Sequence, residues 1–94
     1  MIDEQLSKDA GTGLKKISGQ LRGIERMMEE RRYCVDVLNQ IAAVQAALGS
    51  VGKILLRNHI ETCVANAFTD GSKNERKQKI DELVKVYGRF CRIA

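Results

Sequence analysis

From Leu14 onward the apolar residues of this chain return every third or fourth position. Leu14, Ile17, Leu21, Ile24 and Met28 make one stripe, which predicts an amphipathic helix running to about Glu30. A second stripe begins at Tyr33 and continues through Cys34, Val37, Leu38, Ile41, Val44, Leu48, Val51, Leu55, Ile60, Cys63 and Val64. No proline or turn cluster interrupts it before the polar run at 69–74, so one long helix over about 33–67 is the simplest reading. Asp70-Gly71 then makes a turn, and Ser72 with Glu75 has the spacing of a capping box for a third helix, expected to bury Ile80, Leu83, Val84, Tyr87 and Phe90. Residues 1–12 show no period and are expected to form a flexible arm on a single domain covering 1–94.

Two glycine-rich places complicate this pattern. Gly19 and Gly23 lie inside the first helix, each costing about 1 kcal/mol against alanine, so a neighbour is expected close to that face. Small residues also crowd positions 46–52 of the long helix, which favours a close helix crossing over a kink.

Composition narrows the class. There is no proline among 94 residues, and aromatic residues make up only 4%, which points to an all-α fold. A three-helix chain with one helix far longer than the others leaves that helix partly uncovered, so a dimer is expected to supply the missing face. The net charge of +4 is compatible with a polyanionic partner. The polar, acidic N-terminus does not resemble a signal peptide, and no apolar run is expected to reach membrane length. A cytoplasmic protein whose three cysteines stay reduced is the resulting expectation. No carboxylate pair, phosphate-cradling loop or nucleophile with a base points to an enzyme or a small-molecule substrate.

The candidate chemistry is soft-metal binding. His59 and Cys63 stand at i and i+4, on one helix face. Cys34 lies 29 residues earlier, about 44 Å away at the helical rise of 1.5 Å per residue, and cannot join them in the same chain. Two long helices paired antiparallel about a two-fold axis near residues 48–49 would set Cys34 of one chain beside His59 and Cys63 of the other, twice per dimer. Two thiolates and an imidazole suit Cu(I), whereas Zn(II) usually requires a fourth ligand. Cys91 could serve only if the C-terminal end folds back.

The stretch ISGQLRGIERMMEERRYCVDVLNQIAAVQAAL, followed by LLRNHIETC, resembles the CsoR family of copper-sensing operon repressors, in the family's order and spacing from Leu14 to about Val86. The resemblance implies an antiparallel four-helix-bundle dimer with the third helices outside, two dimers forming a flat tetramer. It also implies operator binding by the metal-free form, release by Cu(I), and derepression of copper export. The family's ligands carry over onto Cys34, His59 and Cys63, and its surrounding tyrosine and glutamate onto Tyr33 and Glu82. Relatives that sense nickel or cobalt have histidine in place of the last cysteine, and persulfide sensors lack the histidine; His59 favours copper.

No helix-turn-helix or zinc-finger spacing is present. Lys15, Arg22 and Arg26 share a face of the first helix beside Lys16, and Lys53 and Arg57 form an i, i+4 pair on the second. These cations are the expected operator contacts, reading DNA largely through shape, and the resemblance places contacts on the same two helices. Lys15, Lys16 and Arg22 are the stronger candidates, because Arg26 faces Glu29 and Glu30. The chain departs from the family pattern at Gly13 and Ser50, where many members carry arginine. Two alternatives stand beside this reading: a persulfide or redox sensor acting through Cys34 and Cys63, and a metal-buffering dimer that binds no DNA.

Overall fold

A computed structural model describes the backbone of residues 2–93 and the side chains up to residue 89. Phe90 and Cys91, both singled out above, have side chains outside that range. Every regular element among the described residues is helical, in keeping with the all-α expectation.

Helix α1 (Glu4–Glu29) starts ten residues before the first predicted position. The Asp3 carboxylate accepts the Leu6 N–H at 2.8 Å and satisfies an otherwise orphaned donor of the first turn. Leu6 and Ala10 are buried and extend the stripe through Gly13 to Ile17 in steps of three and four. The arm expected over 1–12 is therefore corrected: from Glu4 it is helix. Only one large side chain carries the period there, and glycines at 11 and 13 read as breakers.

Gly13 has a packing reason. A Cβ built on it would meet Val51 Cγ2 at 2.8 Å, so this glycine lets the next helix lie close. The neighbour expected at Gly19 and Gly23 is not supplied by the described part of the chain, where a Cβ on either would enter open space.

A tight reversal follows α1. Arg32 N–H bonds the Met27 carbonyl at 3.0 Å and Arg31 N–H the Met28 carbonyl at 3.1 Å, the paired bonds of a Schellman motif. Arg31, at φ 55, occupies the left-handed position that glycine usually fills. No glycine stands at 30–33 to mark the reversal.

Helix α2 (Cys34–His59) passes into a π-helical turn (Ile60–Val64), then into the short helix α3 (Ala65–Thr69). The long helix expected at 33–67 is thus one continuous path. It keeps α geometry through the small residues at 46–52 and departs from it only at 60–64. By length and composition this path could cross a membrane, with a mean hydropathy of 1.3 in its most apolar window, which corrects the expectation that no such run exists. Asn39, Gln40 and Gln45 interrupt its apolar run, and Val37, Val44 and Val51 are buried within the chain.

Helix α4 (Lys73–Ile93) returns over the end of this rod. The Ser72 hydroxyl accepts the Glu75 N–H at 3.2 Å, as the capping-box spacing predicted. The burial expected along α4 is not met within one chain: Leu83 is half-buried, whereas Ile80, Val84 and Tyr87 are exposed. Helix α4 reaches only the last part of α2 and the elements after it, so little surface is available to cover it.

The core is small. Ala10, Ile17, Val44 and Val51 form its centre, with Ile24, Ala47 and Leu55 packed against them. The molecule extends 57 × 27 × 13 Å, and its least dimension is about the diameter of one helix. A single layer cannot bury both faces of its helices. Leu14, Leu21 and Met28 on α1, and Leu38, Ile41 and Leu48 on α2, remain exposed.

Candidate metal centre

His59 is the last residue of α2, and Cys63 lies in the π turn that follows. The Ala65 N–H reaches back five residues to the Ile60 carbonyl, so the turn holds one more residue than an α-helical turn. Such turns recur at functional sites. Branched side chains at Ile60, Thr62 and Val64 crowd an ordinary helical turn, and Thr62 adds a competing hydrogen bond. Its hydroxyl donates to the Asn58 carbonyl at 2.7 Å and also lies within donating distance, 3.6 Å, of Cys63 Sγ. That hydroxyl is the main cause that holds the Cys63 thiol below its ordinary value, and the positive charge of Lys79 adds least.

The two side chains open into a cleft of about 760 Å³ between α1, the rod and α4. Leu55, Leu56 and Val86 give it apolar walls, Leu6 reaches it from α1, and α4 brings Lys79 and Glu82. Glu82 pairs with Lys79 at 3.7 Å. The structure therefore collects His59, Cys63 and Glu82 in one place.

Cys34 and Tyr33 stand elsewhere, at the opposite end of the rod. Tyr33 occupies the N-cap position of α2 and is 70% exposed, and the Cys34 thiol is free and exposed. Among the described residues, no three His, Cys, Asp or Glu side chains of one chain are close enough to hold a metal. The donors fit a soft monovalent cation in type, but among its described residues the chain on its own offers only two of them together.

Sequence reasoning missed Thr62 and Lys79. The alternation of branched residues around Cys63 was the available signal for the first. Nothing short of the fold could have brought Lys79 to the site.

The expected operator contacts are all exposed. Lys15, Lys16, Arg22 and Arg26 lie on α1, and Lys53 and Arg57 on α2. Arg57 is partly engaged already, by Glu61 at 4.0 Å.

Comparison with known proteins places this arrangement in context. The sequence model of a family described as metal-sensitive transcriptional repressor matches residues 7–89. The chain belongs to that family. It is a family of repressors, not of enzymes. The copper-sensing transcriptional repressor CsoR of Bacillus subtilis is 48% identical over 79 residues, which cover 84% of this chain and 75% of that protein. CsoR of Mycobacterium bovis is 43% identical over 72 residues, covering 77% of this chain but only 60% of its own length. Among solved structures, that of the copper-sensing repressor CsoR with Cu(I) from Geobacillus thermodenitrificans superposes with a TM-score of 0.85 at 40% identity, covering 95% of this chain and 90% of that one. The nickel-responsive regulator InrS superposes at 0.75 with 34% identity, over 88% and 90% of the two chains. Copper and nickel responses thus both occur on this fold, and the donors of each chain must decide between them.

Proposed function

We propose that this family member is a copper(I)-responsive repressor that holds operator DNA when metal-free and releases it when Cu(I) is bound, derepressing copper export or resistance genes. The carrying observation is the division of the donors: His59 and Cys63 share a cleft, and Cys34 waits at the far end of the same rod. An antiparallel dimer closes that gap, with Cys34 of one chain meeting His59 and Cys63 of the other. The exposed apolar residues along α1 and α2, on a molecule one helix thick, support a second copy on that face; two dimers would then form the flat tetramer.

Cu(I) supplies a soft, low-coordinate acceptor for two thiolates and an imidazole. The residues of the chain do the rest. Thr62 orients the Cys63 sulfur, and Glu82 stands in the His59 cleft, where it can fix the imidazole or move with α4. Ligation of residues from two chains favours whichever dimer shape brings them together, and DNA affinity changes only if that shape binds DNA less well. The single histidine of the chain and the cysteine at 63 favour copper over nickel. Lys15, Lys16, Arg22, Lys53 and Arg57 are the proposed phosphate contacts.

A gel-shift titration of the protein's own upstream region tests this reading. The metal-free protein is expected to shift the duplex, and one Cu(I) per chain to release it. No shift without metal defeats the repressor, and a shift indifferent to copper defeats the sensor.

The Thr62 hydroxyl beside Cys63 favours one second reading, a persulfide or redox sensor, because a thiol held low is a better nucleophile near neutral pH. His59→Ala separates the two: it cripples a copper response and leaves a thiol-based response intact.

A further inference from the structure

The charge of the chain is unevenly placed. Residues 73–93, the span of α4, hold seven lysines and arginines against three acids, a balance of +4 that equals the formal charge of the whole chain. The 72 residues before α4 carry nine of each sign and are neutral. The first turns of α4 concentrate the excess: Lys73, Arg76 and Lys77 stand at i, i+3 and i+4, on one face, and all are exposed. Together with Phe68 of α3 and Ile80 they line a concavity at the corner between the two helices.

Three features mark this corner as a binding surface for a polyanion. Among the described residues none of its three cations has a carboxylate in ion-pair range, although Arg32, Arg57 and Lys79 each have one. Glu75, the acid nearest in sequence, has its carboxylate folded back toward Gly71, where a Cβ would meet it at 2.9 Å. The start of α4 adds the positive end of a 21-residue helix. In the middle of this charge Phe68 leaves half its surface in water, at 51%. An apolar ring among unpaired cations suits a duplex backbone, which alternates phosphates with the apolar faces of sugars, and suits an acidic protein surface less well.

We infer that Phe68, Lys73, Arg76 and Lys77 form a second nucleic-acid contact, apart from the cations of α1 and α2. This inference rests on the repressor reading and extends it by naming a surface. The corner begins five residues after Cys63 on the same backbone path, so whatever fixes Cys63 acts on the element that carries Phe68.

The test compares two double variants that lose the same charge, Arg76→Gln with Lys77→Gln and, as control, Arg31→Gln with Arg32→Gln. Anisotropy of a labelled duplex from the protein's own upstream region is followed across 50–300 mM KCl, about a sixfold range over which each lost phosphate contact flattens the log–log salt slope by about 0.9. The corner variant is expected to have a slope shallower by about 1.8 for each subunit whose corner meets the duplex and to bind at least roughly 10- to 100-fold more weakly near 0.1 M salt, with unchanged Cu(I) stoichiometry. The control is expected to keep the wild-type slope. A corner variant with the wild-type slope, or a control that falls as far, overturns the inference while the wild-type protein still binds DNA. A wild-type protein that ignores the duplex overturns the repressor reading and this surface with it.

Discussion

The two ends of this molecule divide its work. The α1–α2 hairpin holds the central core of Ala10, Ile17, Val44 and Val51, and Gly13 lets its helices approach closely at Val51. The other end, from Ile60 through α4, buries only Ala67 among its described side chains, yet it carries Cys63, Thr62, Glu82 and the basic helix α4. Shape is stabilised in the hairpin, and the cleft at Cys63 sits where little packing resists movement. A sensor gains from that split, because the part that binds the signal opens and shifts at low cost while the hairpin keeps its form.

Core substitutions should break this contrast most visibly. Ile17→Ala, at 4% exposure, is expected to cost about 3 kcal/mol in urea unfolding at fixed protein concentration. Ile80→Ala, at 43% exposure, should cost about 1 kcal/mol or less. Equal losses would mean that α4 belongs to the same cooperative core. A smaller effect is expected at the reversal between the helices. Arg31 holds a left-handed conformation, so Arg31→Gly should stabilise the hairpin by about 1 kcal/mol, seen as a raised thermal midpoint; a fall would show that the arginine side chain contributes more than its backbone strain costs.

The mildest perturbation concerns the thiol. The Thr62 hydroxyl lowers the Cys63 value, so the thiolate forms at lower pH than in a free cysteine. Thr62→Ala should move the pH midpoint of Cys63 alkylation upward, and Thr62→Ser should restore it. The sign for folding follows: a depressed thiol value adds stability above the unfolded value, and that stability is lost as pH falls through the folded one. An alkylation profile that ignores Thr62 would remove the hydroxyl from the site.

The hairpin was largely legible in the sequence because its stripes are long and regular. Leu14, Ile17, Leu21 and Ile24 marked α1, and the capping pair Ser72 and Glu75 marked the start of α4. The first turns of α1 escaped notice because Leu6 stood nearly alone ahead of the glycines at 11 and 13. The π turn was hidden for a different reason: a stripe in steps of three and four continues through His59, Ile60 and Cys63 whether the backbone closes at four residues or at five. His59 and Cys63 could be paired from spacing. The positions of Lys79 and Glu82 beside them depend on how α4 folds back, which no local pattern encodes.

Mixed chains test the central claim most directly. Cys34→Ala and Cys63→Ala variants, each expected to lose tight Cu(I) binding alone, are unfolded together, refolded as a mixture and titrated against a Cu(I) competitor. A shared site predicts that mixed dimers regain one tight Cu(I) per dimer, built from the Cys34 of one chain and the His59 and Cys63 of the other. If the mixture binds no better than either variant alone, or if an isolated monomer holds Cu(I) tightly through both thiols, the donors do not meet across two chains and the account is wrong.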